Sequence, residues 1–154
     1  MRNLLLTAAT AAIKSSRYAE GETAARELLE LPPDPVAFGD PEDDRALART
    51  LLAHAIARQD RATEAREVLR PALEHCQRAQ EGGATGLTYR RDCAHALYVS
   101  SLTESDDPAG RARHDAAVSQ AAGLIAGMSG EAHRLVDVRD VNDLIGAARG
   151  GAAL

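Results

Sequence analysis

Four side chains of this sequence, His75, Cys76, Cys93 and His95, could together hold a zinc ion, since thiolates and imidazoles are its preferred ligands. Their spacing argues against it. Helical neighbours at i+1 and i+2 point in different directions, so each pair would need a loop to converge on one ion, and the surrounding stretches have helical spacing. No metal site and no cofactor are therefore expected, with reduced, core-filling cysteines and surface histidines. A disulfide is the alternative reading. Cys76 falls near the end of one helical stretch and Cys93 near the start of the next, so they could face each other across an antiparallel hairpin if their Cα atoms lie within about 7 Å.

His114-Asp115 has the residue types of a metal-binding pair in phosphohydrolases, but no further His or Asp is spaced to complete such a site. No phosphate-binding glycine loop, dinucleotide fingerprint, nucleophile elbow or His-Glu-x-x-His string occurs. The expectation is a protein that is not an enzyme. Arg90, Arg91, Arg111 and Arg113 form the densest basic region. They could clamp a carboxylate or another anion through paired guanidinium donors. The plainer reading is intramolecular pairing with Asp92, Asp106, Asp107 and Asp115, because surface charges are usually mixed.

Composition narrows the classes further. The chain has 154 residues, a size at which one core suffices. It has no Trp and one Phe among abundant Ala and Leu, which suits closely packed helices better than a sheet. A net charge of −5 without a long basic run disfavours nucleic acid as a partner. No stretch approaches the ~20 apolar residues of a membrane span. The apolar start Leu4-Leu5-Leu6 is interrupted by Thr7 and Thr10 and stops at Lys14, which favours an amphipathic first helix over a signal peptide. Reduced thiols and the absence of a leader point to the cytoplasm, and arginine in place of almost all lysine to a bacterial genome of high GC content.

The elements that must carry these residues are helices. Residues 3–16 and 18–31 read as a hairpin, ended by Pro32-Pro33-Asp34-Pro35. Asp40-Pro41-Glu42-Asp43 has the cap, proline and acids of a helix start. It opens a third helix to about Arg58, and Asp60 is placed to cap a fourth to about Gln80 with a kink expected at Pro71. After Gly82-Gly83-Ala84-Thr85-Gly86 a fifth helix runs from Leu87 to Thr103, and Asp107-Pro108 starts a sixth that reaches Gly127. A turn at 131–134, a closing helix over 137–149 and a frayed tail over 150–154 complete the reading.

The third and fifth helices repeat one another: Leu52-Ala53-His54-Ala55-Ile56 returns 41 residues later as Cys93-Ala94-His95-Ala96-Leu97, with a fainter copy 44 residues upstream at Ala8 to Ala12. Each unit is a pair of helices. With Arg17-Tyr18-Ala19-Glu20 before Ala24, Leu28 and Pro33, and Arg61-Ala62-Thr63-Glu64-Ala65 before Leu69 and Ala72, the chain resembles the tetratricopeptide (TPR) repeat family. It departs from that family in its longer period, against the usual ~34, in alanine or leucine where signature aromatics stand, and in Gly21 at a position that is usually alanine.

The resemblance implies an all-α single domain over 1–149, built of three stacked antiparallel hairpins (units 3–33, 41–80 and 87–128) in a right-handed superhelix with a C-terminal capping helix. It implies a non-catalytic scaffold that binds a protein or peptide in a concave groove lined by the first helix of each unit. Carried over in register, the groove residues are Asn3, Leu6 and Lys14 in the first unit, Thr50, His54 and Arg58 in the second, and Arg91, His95 and Tyr98 in the third. Their arginines and tyrosine suit an acidic or carboxylate-bearing partner. The alternative is a regulatory or dimerisation module of a larger bacterial signalling or transcription-regulatory protein, acting as a homodimer.

Overall fold

The computed structural model describes residues 1–33, 39–126, 128 and 139–152, with side chains to 149. Those residues form seven helices and no strand: α1 Arg2–Lys14, α2 Tyr18–Glu30, α3 Pro41–Ala57, α4 Ala62–Glu81, α5 Leu87–Leu102, α6 Pro108–Ala126 and α7 Arg139–Ala152. They fall into two compact units, Met1–His75 and Cys76–Leu154, whose boundary lies within α4. The chain has an all-helical, TPR-like fold.

In the first unit α1 packs on α2, and both pack on α3. The repeat seen in the sequence is equally present in the backbone. Ser16 and Asp60, 44 positions apart, both adopt the left-handed conformation (φ 58° and 61°), and their amides donate to the equivalent carbonyls of Ile13 and Ala57. Asp60 thus closes α3. The next residues match too: Arg17 pairs with Glu20, and Arg61 with Glu64. Gly21, Ala25 and Leu28 are the buried positions of α2, and Ala65, Leu69 and Ala72 repeat them in α4.

Gly21 departs from the family pattern for a steric reason. A Cβ there would stand 3.0 Å from Cγ1 of Ile13 and 3.6 Å from Cβ of Ala12, so its hydrogen lets α2 approach α1 closely. Asp40 caps α3 through its carboxylate, which accepts from the Glu42 amide at 2.9 Å, with Pro41 at the first helical position. Helix α4 continues unbroken through Pro71.

In the second unit α5 packs on α6, and α7 lies against both. Ala94, Val118, Ala121, Ile125, Met128, Val141 and Ile145 form its core, each buried Val, Ile or Met side chain being worth about 1.5–3 kcal/mol. The start of α6 is tightly specified. Asp107 accepts from the Gly110 amide at 2.7 Å and from Ser105 Oγ at 2.8 Å, and a Cβ on Gly110 would overlap the Ser105 carbonyl.

One expectation is corrected. The cysteines are not reduced core thiols: Cys76 and Cys93 form a disulfide across the α4–α5 turn, with Cα atoms 5.8 Å apart. They lie on either side of the five-residue glycine-rich turn between α4 and α5, 17 positions apart in sequence. The closing helix spans Arg139–Ala152. The turn expected at 131–134 lies outside the described residues.

Candidate functional site

The groove positions divide sharply by exposure. Asn3, Lys14 and Arg58 are exposed, Leu6, Arg91 and His95 are half-buried, and Thr50, His54 and Tyr98 are buried to 2% or less. Packing on α3 accounts for the difference, because every residue from Thr50 to Ile56 is buried. A helix buried all round keeps no open face along its middle. Thr50 Oγ1 instead donates to the Ala46 carbonyl at 2.9 Å, and the His54 ring lies 6.4 Å from that of Tyr18 at the start of α2.

In the first unit α1 is exposed along its length, at Asn3, Leu4, Thr7, Ala8, Ala11 and Lys14, and α3 at its two ends, Pro41 to Asp44 and Arg58. Lys14 is the last residue of α1, and Arg58 caps α3. They occupy equivalent repeat positions, 44 residues apart, on two helices that pack together. A cation at a helix C-terminus also complements the helix dipole.

In the second unit His95 stands partly buried on α5, and burial drives its pKa from 6.5 to about 4, helped by the Arg91 guanidinium and opposed by Asp140 of α7. It is a neutral imidazole at pH 7. Arg91 is 2.9 Å from Asp92, Arg111 3.1 Å from Asp106, and Arg113 2.7 Å from Glu104. Arg90 donates to the Thr85 and Leu124 carbonyls. The plainer reading of the basic region therefore holds for these contacts.

Sequence reasoning missed an ionic centre that joins the two repeats of the first unit. Glu22 accepts from Arg26 and Arg61, each at 2.8 Å, and from Gln59 Nε2 at 2.8 Å. Both arginines also reach Glu64. Partial burial raises the Glu22 pKa, but the bonds from Arg26, Arg61 and Gln59 outweigh it and lower the value from 4.5 to about 2. The spacing Glu22–Arg26 and Arg61–Glu64 was visible as helical pairs; only the packing of the hairpins shows that they share a carboxylate.

Among the described residues, Met1 and Leu4 are the large apolar side chains left at the surface, 81% and 68% exposed. Among the described residues no group of three or more His, Cys, Asp or Glu is placed to hold a metal ion, and no helix is long and apolar enough to cross a membrane.

No family model and no curated protein matches the chain. Among solved structures it is similar to a TPR-like protein from Chlorobium tepidum, with a TM-score of 0.68 at 19% identity, covering 97% of this chain and 90% of that one. At that identity the likeness establishes the fold, a TPR-like array of helical hairpins.

Proposed function

We propose that the chain is a non-catalytic scaffold module that binds a protein or peptide bearing carboxylates, through the first helices of its hairpins. The observation that carries this reading is the pair of exposed cations, Lys14 and Arg58, at equivalent repeat positions at the ends of neighbouring helices of a TPR-like fold. Guanidinium and ammonium groups in register recognise carboxylates spaced along an extended peptide. Arg91 and the neutral His95 serve as donors in the second unit, while Thr50, His54 and Tyr98 shape the helices from within. We place the protein in the bacterial cytoplasm.

Fluorescence anisotropy with a panel of labelled acidic peptides, and the same peptides amidated at every carboxylate, tests the proposal. Arg58→Glu with Lys14→Glu, and separately Arg91→Glu, are expected to weaken binding at least about tenfold, the scale of one lost charge-assisted contact, with the helical signal kept and the melting temperature lowered by only a few degrees through the lost surface charge contacts. Equal affinity of wild type and both variants, or of acidic and amidated peptides, overturns it.

A second reading has its own observation. Exposed Met1 and Leu4 on α1 are what a homodimer of a regulatory module would cover. Light scattering at low micromolar concentration decides, since that reading requires a dimer that Leu4→Glu dissociates.

A further inference from the structure

We propose that Cys76 and Cys93 form a reversible redox site, whose dithiol state releases the end of α4 and the turn that follows. This holds independently of the binding reading. The 154 residues contain two cysteines, so each is the other's one possible disulfide partner among them. They face each other across the turn with Cα atoms 5.8 Å apart, inside the range a disulfide spans.

What surrounds the bond gives it leverage. The buried residues of α4 are Ala65, Leu69 and Ala72, all before Cys76. Beyond them Leu73, His75, Cys76 and Ala79 are only half-buried, and residues 80–86 are exposed. The turn is held by local bonds, from Gly82 to Arg78, from Gly83 to Gln80 and from Ala84 to Ala79, and by Arg90, whose Nε donates to the Thr85 carbonyl. Apart from these, the end of α4 is tied down by the disulfide and by His75, whose Nε2 lies 2.6 Å from an Asp43 carboxylate oxygen. A segment with so little buried surface opens locally at low cost, so removal of the covalent tie acts there first. The core of the first unit, Ala9, Ala25 and Leu28, lies elsewhere, and of the two cysteines only Cys93 is buried, next to Ala94 of the second unit's core.

The chemistry is thiol–disulfide exchange with a dithiol. Cys93 is 4% exposed, whereas Cys76 is half-buried, so the attack falls on the Cys76 sulfur. The reagent thiolate bonds to Cys76 Sγ, the sulfur–sulfur bond breaks, and Cys93 leaves as a thiolate that takes up a proton. The second thiol of the reagent then displaces Cys76 and closes the reagent's own disulfide. Two electrons and two protons pass to the protein, and a disulfide oxidant reverses the step. In a reducing compartment a bond of this kind is transient and responds to redox state.

Hydrogen exchange on the full chain, oxidised and then treated with dithiothreitol in native buffer, tests this, with thiols counted by alkylation and mass spectrometry. Reduction is expected to expose two alkylatable thiols and to speed amide exchange over residues 77–86 at least about tenfold, the closure of so short a loop supporting up to roughly a hundredfold, while α1 and α2 amides stay unchanged. Reoxidation with oxidised glutathione restores protection. Cys76→Ser is expected to show the fast exchange without reagent and to ignore dithiothreitol. Two free thiols in the protein treated with oxidised glutathione, a bond that reduces only in denaturant, unchanged exchange on reduction, or loss of the whole helical signal on reduction each overturns the proposal. The last would make the bond a structural staple.

Discussion

Acid should unfold this protein in two distinguishable steps, and His95 sets the first. Its imidazole is held to a pKa of about 4 in the fold, against 6.5 for the free side chain, mainly because burial disfavours the charged form. As pH falls below 6.5 the unfolded chain takes up a proton that the folded chain refuses until about pH 4. The unfolded state thus binds more protons across that window, and stability falls with pH. A depression of about 2.5 units at ~1.4 kcal/mol each sets a ceiling near 3 kcal/mol, and partial solvent access reduces it to about 2 kcal/mol. Chemical denaturation of wild type and His95→Gln from pH 7.5 to 3 measures it. The wild type should lose about 2 kcal/mol more than the variant between pH 6.5 and 4. Below that, both should lose further stability together as Glu22, whose carboxylate is stabilising above its unfolded value of 4.5, is protonated toward its folded value of about 2. Parallel curves for the two proteins between pH 6.5 and 4 would refute the argument that burial governs His95.

Three further outcomes follow from packing. Gly110→Ala, whose Cβ meets the Ser105 carbonyl, should cost about 1–3 kcal/mol by overpacking, whereas Gly123→Ala in the same helix, with open space around it, should gain about 0.5–1 kcal/mol; denaturation midpoints that move the same way contradict the geometry at the start of α6. Glu22→Gln should cost about 1–2 kcal/mol, reduced by the exposure of its arginine partners, and should reduce the loss of stability below pH 4.5 in an acid titration followed by circular dichroism, the remainder coming from His95 and Asp107. Ala53→Leu and Ala94→Leu, each at a site with no exposed surface, should each lower stability by about 1–3 kcal/mol, and a melting temperature equal to the parent's would show that the site can accommodate the added volume.

The helices and the repeat were legible because they are written in local signals. Apolar spacing, the Asp40-Pro41 and Asp107-Pro108 starts and the returning Ala-His-Ala core each act over a few residues. The exposure of the groove positions was not legible. Periodicity shows that Thr50, His54 and Arg58 lie along one side of α3, but burial depends on how many neighbours the helix has, and α3 has them on every side of its middle. Thr50 and His54 carry polar atoms, so their types suggested a surface. The disulfide was left open for a related reason: sequence places Cys76 and Cys93 on successive helices, and only the structure shows their Cα atoms 5.8 Å apart. The Glu22 centre needed the packing of two hairpins to appear.

The central claim, that the first helices carry a binding surface for carboxylates, is tested most directly by nuclear magnetic resonance. A labelled protein titrated with the tightest acidic peptide should show amide shifts concentrated at Lys14, Arg58 and their neighbours in the first unit, and at Arg91 and His95 in the second. Shifts confined to the exposed face around Met1 and Leu4, or spectra that change with protein concentration and not with peptide, would contradict it.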